Sequence, residues 1–272
     1  MQAALSQVCS LDSTFENDVE QYAAAKCGAI EVWLTKLETH LQSHSIDEAR
    51  RLLADHQIVA PVASFQGGLL VSQGQQREEA WSHFRKRLEL CRAIDAGTLV
   101  VACDVPGPIG QVDIDRVRAS LKLAAEEAKR HDVRIALEFQ CRSAFGNNLQ
   151  TAAALVEEAA SPNLGICFDA FHWYVGPSKE SDLGLLSREN LFHVQLSDVA
   201  DVPRELATDS HRILPGEGDI PLEPVIARLR EISYDGCVSL ELMNPVIWRV
   251  GPLSFGEIGM TCLRRLLGQA GS

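Results

Sequence analysis

Four polar side chains each lie at the end of a short apolar run typical of a buried β-strand. They are Glu138 in RIALEF, Asp169 in LGICFD, Gln195 in LFHVQL and Glu241 in CVSLEL. If these strands are parallel, their C-terminal ends meet at one edge of a sheet, and the four side chains converge there. Three carboxylates held together repel one another unless a cation lies between them. The pattern therefore predicts a divalent-metal site, and with it an enzyme.

Strand candidates alternate with helical stretches along the whole chain. Strands are expected near 3–9, 29–34, 58–64, 98–102, 134–139, 164–169, 191–196 and 237–242. The clearest helical patterns cover 77–96, 113–130, 148–160, 221–232 and 252–267. Their signals are apolar residues at a period close to 3.6, polar cap candidates, or a proline in the first turn. This alternation predicts an α/β fold, a (β/α)8 TIM barrel that spans residues 1–272 as a single domain.

Composition excludes several classes of protein. The chain has 272 residues, of which 46% are apolar, and a formal charge of −12. An acidic surface disfavours nucleic-acid binding. No apolar run reaches the roughly 18 residues of a membrane span, and no signal peptide is evident, so neither membrane insertion nor secretion is expected. The eight cysteines form no C-x-x-C pair, which favours free thiols and a cytoplasmic location.

The segment Asp169-Ala-Phe-His172 resembles the D-x-x-H motif of the xylose isomerase-like superfamily of sugar isomerase and epimerase barrels. The segments ALEF, HVQLSDV, HRILPGEGDIPL and VSLELMNP resemble further segments of that superfamily, in the same order, over residues 134–245. The resemblance implies one divalent metal ion. It assigns as ligands Glu138, Asp169, the residue at 195 and Glu241.

Gln195 departs from the commoner pattern, which places a histidine at this position. An amide oxygen makes the ligand set all-oxygen, which favours Mg²⁺ or Mn²⁺ over Co²⁺ or Zn²⁺. The alternative is that Gln195 lines the barrel and bonds to the backbone. Superfamily dehydratases that act on 3-dehydroshikimate also resemble this chain in having glutamine there.

Several residues are candidates for substrate binding. The resemblance gives this role to His172 and Arg212, although a loop histidine or a solvated loop arginine remains an alternative. Phe65 and Trp248 fall near strand ends or mouth loops, where aromatic residues often wall a pocket; ordinary core packing is the alternative. His193 is interpreted as a buried core histidine.

The predicted function is divalent-metal-dependent isomerisation or epimerisation of a small-molecule sugar or sugar phosphate. Glu138 or Glu241 would remove a proton beside a carbonyl, giving a metal-stabilised enediolate, and the other would return it. The alternative is a lyase, a dehydratase of a cyclic keto-polyol such as 3-dehydroshikimate, which would expel a hydroxyl from the same enolate. Members of the superfamily often form dimers or tetramers, so a homo-oligomer is left open.

Two further hypotheses fit the sequence less well. Abasic-site endonucleases share the barrel and the D-x-x-H motif, but they need additional histidines after strands three and four. This chain has VASFQG and VACDVP there. A metal-free binding barrel would have no need for three carboxylates at the strand ends.

Overall fold

Eight parallel strands close into a barrel in the computed structural model, which describes residues 1–269. Each strand pairs with the next barrel strand along the chain, and the last pairs with the first through Gln2 and Cys237. The barrel strands are β1 Gln2–Ser6, β2 Ala29–Trp33, β3 Val59–Gln66, β4 Thr98–Cys103, β5 Arg134–Phe139, β6 Leu164–Asp169, β7 Leu191–Leu196 and β10 Cys237–Leu240. A short antiparallel ribbon, β8 Asp198–Val199 and β9 Arg212–Ile213, follows β7. The predicted TIM barrel is confirmed.

Helices fill the connections and cover the outside of the barrel. They are α1 Phe15–Ala24, α2 Leu34–His40, α3 Ile46–Asp55, α4 Gly74–Ala93, α5 Gln111–Lys129, α6 Leu149–Ala159, α7 Ala170–Val175, α8 Leu222–Glu231 and α9 Pro252–Leu267. Local sequence sets several ends. Asn148 accepts a hydrogen bond from the backbone of Thr151 and so caps α6, and Pro252 opens α9, which ends at left-handed Gly268.

The first strand is shorter than the sequence predicts. It ends at Ser6, and the next four residues form a 3₁₀ turn. Side-chain hydrogen bonds account for the turn, because Gln7 and Ser10 both donate to the buried Asp18 of α1, over 3.3 and 2.7 Å. The last strand also stops early, at Leu240, so Glu241 lies just beyond it.

Apolar side chains, most of them small, fill the lower part of the barrel interior. They include Ala29, Ala136 and Cys167, which belong to one buried cluster inside the strands. Because successive inward-facing residues are two apart along a strand, the next inward positions carry polar groups, such as Glu31 after Ala29. The polar side chains therefore lie above this apolar layer, at the C-terminal mouth of the barrel.

The cysteines agree with the prediction of free thiols. All eight are unpaired, and only Cys141 and Cys262 are less than fully buried. Across residues 1–269, no helix combines the length and the apolar character that crossing a bilayer requires.

Candidate active site

Four buried carboxylates surround the C-terminal mouth of the barrel. Glu138 is the penultimate residue of β5, Asp169 ends β6, Glu241 follows β10, and Glu31 lies in β2. None is more than 5% exposed. Buried carboxylates are costly unless they are protonated, hydrogen-bonded or paired with a cation. The way each charge is compensated therefore decides what the site can do.

Arg212 supplies the central positive charge. Its Nη1 donates to Asp169 Oδ2 over 2.6 Å and to Glu241 Oε2 over 3.1 Å, and its Nη2 lies 2.9 Å from Asp209 Oδ1. The guanidinium also sits 4.5 Å above the ring of Phe171. Arg212 is 1% exposed, so the alternative of a solvated loop arginine is wrong.

The carboxylates differ in their readiness to hold a proton. Burial favours the protonated form of Asp169, but Arg212 and His172 outweigh it and lower the pKa of Asp169 to about 2. Burial raises the pKa of Glu138 and Glu241 well above the usual value, and neighbouring carboxylates raise both further. Paired groups whose environments push their pKa values apart are typical of acid–base sites.

Gln195 lines the barrel, and its hydrogen bonds go to side chains rather than to the backbone. Its Nε2 donates to Glu31 Oε1 over 3.0 Å and to Glu241 Oε1 over 2.9 Å. Its Oε1 accepts from the thiol of Cys167 over 3.0 Å. Because the carboxylates attract the amide N–H groups, the oxygen faces away from them. Metal ligation through this oxygen requires the amide to turn over, and it stays a prediction.

Glu31 holds the lower layer of the site together. Its Oε2 lies 3.0 Å from His193 Nε2 and also accepts from the hydroxyl of Ser239. Burial works to raise the pKa of Glu31, but His193 and the hydrogen bonds lower it overall. His193 is fully buried, as expected of a core histidine. The sequence signal for Glu31 is a single charge within the apolar strand AIEVW.

His172 lies closer to the carboxylates than the sequence indicates. Glu138, Asp169 and His172 each offer a ligand atom, and these atoms all lie within 4.8 Å of one another. Burial lowers the pKa of His172, which favours the neutral imidazole. Its Nδ1 is 3.3 Å from the thiol of Cys141, and the amide of Gln140 donates to Glu138. No pattern in the sequence marks these two loop residues, because contacts across a loop leave no periodic signal.

The donor set fits a divalent cation. The mouth holds four buried carboxylates against one buried guanidinium, and a divalent ion would bring these charges close to balance. Carboxylate oxygens are ligands that Mg²⁺ and Mn²⁺ prefer. Glu138 and Asp169 already lie together, and Arg212 links Asp169 to Glu241.

Aromatic side chains and a fixed loop border the mouth. Phe65 is 37% exposed and stacks on Trp33 with ring centroids 5.0 Å apart. The indole of Trp248 donates to the carbonyl oxygen of Val8 over 2.8 Å. Asp198 of β8 accepts a hydrogen bond over 2.8 Å from the backbone N–H of Gly216, which belongs to the Gly-rich loop. Phe65 and Trp248 are thus placed at the rim, where their role in substrate binding stays a prediction.

Known proteins share this architecture. The sequence model of the xylose isomerase-like TIM barrel family matches residues 19–257. An inosose isomerase from Halalkalibacterium halodurans is 29% identical over 80% of this chain and 78% of its own length. A 3-dehydroshikimate dehydratase from Pseudomonas aeruginosa is 28% identical over 90% of this chain but only 38% of its own length.

Solved structures agree on the fold. The structure of the IolI protein with a bound zinc atom superposes with a TM-score of 0.92 over the full length of both chains, at 22% identity. A D-psicose 3-epimerase from Clostridium cellulolyticum gives 0.79 at 18% identity, over 98% of this chain and 99% of its own. Together with the buried acidic mouth, these comparisons establish that the chain is an enzyme belonging to the xylose isomerase-like TIM barrel family.

Proposed function

We propose that this chain is a metal-dependent isomerase or epimerase of a cyclic or open-chain keto-polyol. The observation that carries the proposal is the placement of two buried carboxylates, Glu138 and Glu241, at one barrel mouth. They come from strands three positions apart around the barrel, so they can reach different sides of a small planar intermediate. The inosose isomerase relatives support a polyol ketone as the substrate class.

The proposed metal ligands are Glu138, Asp169, Gln195 and Glu241. A bound divalent ion would polarise a substrate carbonyl and make the neighbouring C–H more acidic. If the amide oxygen of Gln195 turns toward the carboxylates, the all-oxygen set favours Mg²⁺ or Mn²⁺. The NH₂ group of the turned amide would then face the thiol of Cys167, which now donates to Oε1.

Proton transfer is assigned to the two glutamates. One carboxylate removes the proton beside the carbonyl, and the electron pair of that C–H bond forms an enolate. The other returns a proton to the opposite face or to the neighbouring carbon. Ligation to a cation lowers the basicity of a carboxylate, so the bound ion would have to lower the pKa of the substrate C–H by more. The neutral imidazole of His172 and the charged guanidinium of Arg212 belong to residues that lie beside Asp169, where they can bind substrate oxygens.

Dehydration is the second candidate function, and Gln195 favours it. Glutamine at this position resembles the dehydratases that act on 3-dehydroshikimate, and two relatives of this chain carry that name. The enolate would then expel a β-hydroxyl instead of taking up a proton. Loss of water would leave a longer conjugated system than that of the substrate, and so a new ultraviolet absorbance.

A deuterium-exchange screen tests both functions. The purified chain is loaded with Mg²⁺, Mn²⁺, Co²⁺ or Zn²⁺ and incubated in D₂O with inososes, ketohexoses and 3-dehydroshikimate. Exchange without new absorbance supports the isomerase, and new absorbance from 3-dehydroshikimate supports the dehydratase. The variant Glu241→Gln should lose exchange. Glu217→Gln is its matched control, because Glu217 is an exposed glutamate in the Gly-rich loop. Absence of exchange and of absorbance with every metal and ketone would overturn both proposals.

A further inference from the structure

A second group of metal-ligating side chains lies outside the barrel mouth, between two outer helices. Glu16 belongs to the first turn of α1, His40 ends α2, and His44 lies in the turn that follows. Their ligand atoms all lie within 4.8 Å of one another. Two imidazoles and a carboxylate are a common set of zinc ligands in proteins. We infer that Glu16, His40 and His44 bind a divalent transition-metal ion such as Zn²⁺.

Hydrogen bonding prepares His44 for ligation. Its Nδ1 lies 3.2 Å from the carbonyl oxygen of His40 and 3.1 Å from the hydroxyl of Ser43. A carbonyl oxygen can only accept, so the contact with His40 favours a proton on Nδ1. The lone pair is then on Nε2. A ligand histidine is commonly fixed in this way, with its other ring nitrogen bonded to a backbone carbonyl.

His40 is in the chemical form that binds a metal. Its Nε2 is buried and has no hydrogen-bond partner in the described part of the chain. Burial and the neighbouring His44 lower the pKa of His40, and Glu16 and Glu48 oppose them; the overall lowering favours the neutral imidazole. Neutral imidazole is the ligand form, and it need not lose a proton on binding.

Binding requires a small closure. In a tetrahedral zinc site the ligand atoms are about 3.4 Å apart, given metal–nitrogen distances of about 2.0–2.1 Å. The two imidazole rings now stack with centroids 4.2 Å apart and planes within 3°, so one ring must turn. His44 and Glu16 are exposed and can make this movement. The bound ion would join the start of α1 to the end of α2 beside Trp33, with which the cluster shares a surface hollow of about 420 Å³.

Zinc competition with a chromophoric chelator tests the inference. The number of ions and their affinity are measured for the parent, His44→Gln, Glu16→Gln and the control His131→Gln, a histidine after α5. We expect His44→Gln to lose one ion per chain, or to weaken its binding at least about tenfold, while the control matches the parent. His44 is exposed, so its replacement leaves the fold intact even if His40→Gln does not.

Any ion in the barrel mouth is measured separately. Asp169→Asn removes a proposed ligand of that site and leaves the Glu16, His40 and His44 cluster unchanged. In that variant we expect Zn²⁺ to raise the unfolding temperature, and we expect the added change His44→Gln to abolish the rise. Failure of the proposed barrel site would therefore leave this result unaffected. Zinc titrations of His44→Gln and Glu16→Gln that match the parent in both ion number and affinity would overturn the inference.

Discussion

Replacing Arg212 by methionine should destabilise the metal-free protein strongly. The change removes a guanidinium bonded to Asp169 and Glu241 over 2.6 and 3.1 Å and keeps most of the side-chain length. Breaking a buried ion pair costs about 3–5 kcal/mol, because the partner charge stays buried and unpaired. For a chain of this size that corresponds to a fall in unfolding temperature of roughly 6–20 °C. The pKa of Asp169 would also rise, since Arg212 is the chief group that lowers it.

Urea unfolding in EDTA, followed by tryptophan fluorescence, measures the effect. The control is Arg188→Met, since Arg188 lies 2.5 Å from Asp235 while both side chains are more than half exposed. An exposed pair contributes no more than about 1 kcal/mol, so ion pairs of similar length, 2.6 Å for Arg212–Asp169 and 2.5 Å for Arg188–Asp235, should give unequal losses. Added Mn²⁺ should restore part of the stability of Arg212→Met by compensating the same carboxylates. A loss no larger than that of Arg188→Met would refute the view that Arg212 balances the charge of the mouth.

Three further predictions concern the acidic mouth. Glu241→Gln should keep the circular dichroism spectrum but lower substrate deuterium exchange by ~10²–10⁴-fold; exchange within about tenfold of the parent would exclude Glu241 as a proton-transfer group. Gln195→His should shift metal preference toward Zn²⁺, Co²⁺ or Ni²⁺ in a competition titration, because imidazole is a softer donor; an unchanged order would mean that Gln195 does not ligate the metal. The pKa of Glu138 is higher in the folded chain than its ordinary value of 4.5. As the pH rises, the unfolded chain therefore loses this proton before the folded chain does. The metal-free protein accordingly loses stability as the pH rises above 4.5. Glu138→Gln should flatten the fall in unfolding free energy as the pH rises above 4.5, and an unchanged slope would contradict the raised pKa.

The sequence by itself determines the barrel and the strand ends that carry its chemistry. Short, largely apolar runs followed by turn or helix signals mark β5, β6 and β7 at the observed bounds, because a parallel strand covered on both faces is nearly continuously apolar. Parallel strands then bring Glu138, Asp169 and Gln195 to one mouth without further information. The D-x-x-H segment adds the resemblance to a family, and with it the expectation of a metal.

Tertiary structure alone decides how those groups share charge and hydrogen bonds. Glu31 precedes Gln195 by 164 positions, yet its carboxylate receives the amide N–H group and so sets the direction of the amide oxygen. Arg212 comes from a segment whose sequence is equally compatible with a solvated residue, and it is buried because it packs against Asp169, Glu241 and the ring of Phe171. Such contacts depend on distances across the barrel rather than on spacing along the chain. The pKa values of Glu138, Asp169 and Glu241 follow from those distances and from burial, which no local pattern of residues specifies.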